Sequence, residues 1–73
     1  MADGYDDMLK GQWLQAKGWV REQWGELTDD DIDVVDGRAE QLAGRIQERY
    51  GMGVEDARRE VAGWLRRHFG NAT

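Results

Sequence analysis

Apolar residues recur along this chain every three or four positions, and the intervals between the runs are filled by glycine and acidic residues. Leu9, Trp13, Ala16, Val20 and Trp24 fall on one face at helical spacing. With Asp6 and Asp7 in the first turn and Lys17 and Arg21 toward the other end, they predict a helix over about 6–24. Ile32, Val35, Ala39, Leu42, Ala43, Ile46 and Tyr50 make a second stripe. This stripe can be one helix over 29–50, or it can split at the turn-type dipeptide Asp36-Gly37 into helices at 29–35 and 37–50. The split is favoured, because Val34 falls on the wrong side of a single helix and a break lets it turn inward. Val54, Ala57, Val61, Trp64, Leu65 and Phe69 predict a last helix over 54–69, stopped by Gly70. Its last turn holds Arg66, Arg67 and His68, with His68 expected as a surface residue facing the negative end of the dipole. The expectation is an all-α bundle of three to four helices, a single domain over 1–73 with frayed ends at about 1–5 and 70–73. Trp19 lies beside the first stripe, next to Ala16, and is expected to fold inward rather than wait for a partner.

The junction Trp24 to Ile32 organises the rest. Gly25 can take a left-handed conformation to end the first helix. Thr28 is a good N-cap, and Asp29, Asp30 and Asp31 meet the positive end of the dipole, each worth roughly 0.3–1 kcal/mol when exposed. Leu27 and Ile32 are placed as a hydrophobic staple. Read as a calcium loop, the same triplet fails. With Gly37 as the invariant glycine, Ile32 would take the first ligand position. No Cys and one His leave no ligand set for softer metals, so no metal, cofactor or catalytic residue is expected.

Composition makes this fold marginal. Leu, Ile, Val and Phe total 13 of 73 residues, which with a net charge of −5 leans toward disorder. Four Trp and two Tyr pull back toward a folded, thin core. Residues 1–37 carry ten acids against three bases, and 38–73 five acids against seven arginines, so an acidic front is expected to pack near a basic back. There is no apolar run long enough to span a membrane and no basic-then-apolar N-terminus. Cytoplasm is therefore the default expectation, with no membrane contact.

Two fifteen-residue blocks are related by a shift of 26. Gly11, Gln15, Gly18, Glu22 and Gly25 land on Gly37, Gln41, Gly44, Glu48 and Gly51, with Val20 on Ile46 and Trp24 on Tyr50. Glycine inside a helix costs about 1 kcal/mol relative to alanine. Either another backbone approaches at these positions, or the helices are weak by design, or the glycines are drift.

Glu22-Gln23-Trp24-Gly25, Leu27-Thr28-Asp29-Asp30-Asp31 and Gly44-Arg45-Ile46-Gln47-Glu48-Arg49-Tyr50-Gly51 resemble the CsbD-like family of small bacterial stress-response proteins. With Gly11, Trp13, Gln15 and Gly18, the resemblance covers about residues 5–64. It implies a cytoplasmic all-helical protein of the general stress response, two crossed helical hairpins in fold, with no established enzymatic activity and no catalytic residues to carry over. The chain departs from the family at Leu14 and Trp19, where lysine is typical, and at Gly53, where a polar residue is usual.

The expected function is thus a non-enzymatic protective or interaction module, with an unidentified protein partner and no assigned binding residues. The competing reading is a nucleic-acid module. Gly51-Met52-Gly53-Val54-Glu55-Asp56-Ala57 matches the core of helix-hairpin-helix elements, whose turn amides and following helix N-terminus hold a phosphate. Glu55, Asp56 and the overall negative charge oppose that binding.

Overall fold

A computed structural model describes residues 3–70, with side chains from Tyr5 onward. Five helices follow one another: α1 Asp3–Gly11, α2 Trp13–Gln23, α3 Asp29–Val35, α4 Ala39–Tyr50 and α5 Val54–Phe69. The class is all-α as expected, but the count exceeds the three to four foreseen. The extra element comes from the predicted helix over 6–24, which breaks at Gly11-Gln12, where Gln12 has φ −118° and ψ 27°. Glycine is the weakest non-proline helix former, and kinks settle at such points. The bend carries α1 across the α3–α4 turn, where Asp6 Oδ1 accepts from the Ala39 N–H at 3.2 Å. Arg38, the N-cap of α4, makes no side-chain capping bond of its own, so Asp6 supplies one from 33 residues away.

The split at Asp36-Gly37 is present. Asp36 ends α3 in a left-handed conformation and Gly37 follows at φ +79°. Gly37 is needed twice over, because a Cβ there would stand 2.9 Å from the Lys10 Cα. Val34 does not turn inward, however; it stays 43% exposed while Val35 takes the core position. Gly25 is also not left-handed. The chain leaves α2 through Trp24, at φ −127° and ψ 79°. Residues 3–5 are helical rather than frayed, and the Tyr5 hydroxyl donates to the Gly70 carbonyl at 2.8 Å. Residues 1–2 and 71–73 lie outside the described residues.

The described chain measures 30 × 25 × 17 Å, so its thinnest direction is two helix layers. α4 is the shared element, pairing with both α3 and α5, while α1 touches α2, α4 and α5. Leu9, Val20, Ile32, Val35, Leu42, Ile46 and Trp64 are fully buried along this seam, with Trp24 and Leu27 closing one end. Tyr50 and Val54, expected on the apolar faces, remain partly exposed at the α4–α5 turn.

Candidate functional site

The most developed polar arrangement is built on Asp31, the one charged side chain buried among the described residues. Thr28 starts α3 as its N-cap. Its hydroxyl accepts from the Asp31 N–H at 3.1 Å, and the Asp31 carboxylate accepts from the Thr28 N–H at 3.0 Å, a reciprocal capping box. The same carboxylate reaches across to α4. Arg49 donates Nε to Oδ2 at 2.7 Å and Nη2 to Oδ1 at 3.3 Å, and Arg45 adds Nη1 to Oδ1 at 3.3 Å. The Arg49 hydrogen bonds and the Thr28 amide hold the Asp31 pKa down at about 2, against the opposing effect of burial. Arg49 is in turn held above its ordinary value by the same contact.

With every carboxylate oxygen occupied, Asp31 has no free lone pair directed at a ligand, and a pKa near 2 gives it no use as a general acid or base near neutral pH. Its work is mechanical, tying the start of α3 to the last two turns of α4. Two further bonds join the same segments and their neighbours. The Glu26 N–H donates to the Tyr50 hydroxyl at 3.1 Å, and Trp24 Nε1 donates to Glu60 at 3.0 Å. The acidic front thus meets the basic back as expected, but through this one carboxylate. The other ion pairs among the described residues, Arg21 with Asp29, Arg45 with Glu48, Arg58 with Glu40 and Arg59 with Asp56, join residues of the same half.

The Gly51-Met52-Gly53 turn is formed, with Gly51 at φ +67° and Gly53 as the uncapped N-cap of α5. Glu55 and Asp56 fill the first turn of α5, where a phosphate would have to approach. The cations on either side of the turn are already engaged, Arg49 with Asp31, Arg58 with Glu40 and Arg59 with Asp56. That arrangement opposes the phosphate-holding use of the turn.

Trp19 is half-buried, stacked on the exposed His68 ring at 4.4 Å and edge-on to Phe69 at 5.9 Å. The chain itself covers the ring. His68 therefore sits at the surface as foreseen, with the Trp19 contact added. Trp64 lies fully buried behind this group with its Nε1 unpartnered.

Two open clefts flank α5. One, of about 500 Å³, is lined by Gln23, Met52, Asp56, Arg59, Glu60, Gly63 and Arg67. The other, of about 410 Å³, is lined mostly by Ala39, Ala43, Val61, Ala62 and Leu65. Neither brings a nucleophile to a base. The chain has no Cys and no Ser, and the Thr28 hydroxyl is engaged in its cap. Among the described residues no group of three or more His, Asp or Glu could hold a metal ion, and no helix is long and apolar enough to cross a membrane.

A family model described as CsbD-like matches residues 7–59. UPF0337 protein YjbJ of Escherichia coli O6:H1 is 52% identical over 62 residues, covering 85% of this chain and 90% of that protein. UPF0337 protein ECA0631 of Pectobacterium atrosepticum is 53% identical with the same coverage. UPF0337 protein PA4738 of Pseudomonas aeruginosa is 53% identical over 55 residues, covering 75% of this chain and 85% of that protein. No solved structure matches. The chain belongs to the CsbD-like family. Two of the segments that carry the resemblance, Leu27–Asp31 and Gly44–Gly51, are locked together by Asp31, Arg45 and Arg49.

Proposed function

We propose that this chain is a non-enzymatic, cytoplasmic stress-response protein whose helical domain is kept near its folding threshold, so that conditions or a partner decide how much of it is folded. The stress setting comes from the family resemblance. The physical argument rests on one observation: at the helical positions Gly11, Gly18 and Gly44, a Cβ would meet nothing within 4 Å. Packing does not require glycine at any of the three. Gly18 and Gly44, inside their helices, each cost about 1 kcal/mol relative to alanine, a large share for a domain of this size, whose whole stability is of order 0.1 kcal/mol per residue. The thin core and the unpartnered Trp64 indole nitrogen press the same way.

A fold held this close to its threshold responds to small changes in water activity or binding free energy. The test compares the chain with its Gly18→Ala/Gly44→Ala variant, following helicity by circular dichroism as an excluded osmolyte is added. In parallel, a heat-labile reporter enzyme is warmed with each protein. The expected result is a chain that gains helix with osmolyte, a variant already at its plateau, and a difference between the two in reporter protection. A chain fully helical and thermally robust in dilute buffer, with protection equal for both proteins, would defeat the reading.

A further inference from the structure

We propose that the outward faces of α2 and α3 are complementary halves of a surface through which two copies of this chain associate. Leu14, at the start of α2, is 86% exposed, the largest exposure of any large hydrophobic side chain among the described residues. It borders a shallow hollow of about 470 Å³ together with Lys10, and Lys17 stands on the same side of α2 three residues on. Neither lysine has an ion pair among the described residues; the third cation of this face, Arg21, pairs with Asp29. α3 presents the reverse pattern. Val34 is 43% exposed beside Asp30 and Asp33, both exposed and neither with an ion pair among the described residues. One face is an apolar knob among unpaired cations, and the other an apolar spot among unpaired carboxylates.

The Arg21–Asp29 pair shows that the two faces adjoin and that their charges already match where they meet. A surface carrying both halves suits a two-fold axis, which sets α2 of each copy against α3 of the other and closes the assembly at two. An anionic lipid surface would suit the Leu14 side alone and would be repelled by the acidic side next to it. The contact is small and charge-rimmed, so the association is weak and salt-sensitive. The inference stands on this surface alone and not on the conditional-folding reading.

Sedimentation equilibrium of the full chain, up to about 1 mM at low salt, tests it, millimolar being the weak end of measurable affinity. The expected result is a monomer–dimer equilibrium with a dissociation constant on the order of 0.1 mM, abolished at about 1 M salt, where the Debye length is roughly 3 Å. Leu14→Glu should weaken it about tenfold or more, because it removes the apolar knob and sets a carboxylate against the partner's acidic α3 face. Lys17→Glu and Asp33→Lys should each weaken it, and an equimolar mixture of those two should associate again. These exposed or half-exposed positions leave the core untouched, and circular dichroism of each variant verifies the fold. A chain monomeric throughout, an association indifferent to Leu14→Glu, or a mixture that fails to recover overturns the proposal. So does binding to anionic phospholipid vesicles that is lost in Leu14→Glu while the protein stays monomeric.

Discussion

Asp31 and Arg49, eighteen residues apart, meet side-on, with Nε 2.7 Å from Oδ2 and Nη2 3.3 Å from Oδ1. The carboxylate is buried and the arginine side chain 44% exposed, so only one partner has lost its water. A desolvated carboxylate with hydrogen bonds from both helices is favourable where an isolated one would be costly.

The first prediction concerns that carboxylate and pH. Its folded pKa of about 2 lies below the ordinary 3.8, so ionisation favours the folded state. The contribution is full above roughly pH 5, on the order of 2 kcal/mol, and is lost as pH falls through about 4 to 2. Asp31→Asn should lower stability by about that amount at pH 7 and flatten the acid limb. Urea midpoints between pH 2 and 7 decide it; parallel curves for the two proteins would remove Asp31 from the acid transition.

Thr28 and Asp31 form one capping unit and should behave as one. Thr28→Ala should cost about 0.5–2 kcal/mol. Added to Asp31→Asn, it should cost less than the sum of the two, because each change removes part of what the other needs. Additive urea midpoints in a double-mutant cycle would contradict the reciprocal box.

Asp6 caps α4 from α1, and a long-range cap has its own signature. Asp6→Ala should lower stability by about 0.5–2 kcal/mol, whereas Asp6→Asn, which keeps an acceptor oxygen, should retain most of it. Amide exchange at Ala39 reports the same bond locally. If it is equally protected in both variants, the cap contributes nothing.

What was legible in the sequence follows from the range over which each signal acts. The Thr28 cap, the Asp36-Gly37 break and the Gly51 and Gly70 stops are local chemistry, and periodicity recovers them together with most of the core. The kink at Gly11 was missed because it is settled elsewhere: α1 swings to set Lys10 against Gly37 and Asp6 over Ala39, partners about thirty residues away. In the sequence Asp31 is one of three dipole-facing acids, and nothing in the triplet itself tells which one points inward. The spacing of Arg45 and Arg49 by one helical turn was an available signal for a shared partner, but it names no partner. Tyr50 falls on the apolar stripe in the sequence, yet its ring edge is needed outside, where the hydroxyl accepts from the Glu26 N–H.

The last prediction separates the repeat-related glycines by sign. Gly18 and Gly44 are helical with open space where a Cβ would go, so Gly18→Ala and Gly44→Ala should each stabilise by up to about 1 kcal/mol. Gly11 and Gly37 are another matched pair but differ in kind. Gly37 is left-handed, and an added Cβ would press on the Lys10 backbone at 2.9 Å. Backbone cannot give way as a flexible side-chain tip can, so Gly37→Ala should destabilise by about 1–3 kcal/mol from crowding, with left-handed strain added. Gly11→Ala meets no neighbour and should be neutral or mildly stabilising, unless the added helix preference straightens the kink that docks α1. Thermal melts of the four single variants, at concentrations too low for self-association, give the ordering directly. A fall in melting temperature for both Gly18→Ala and Gly44→Ala would mean that something packs on those faces even in dilute solution. The conditional-folding reading would then lose the observation that carries it.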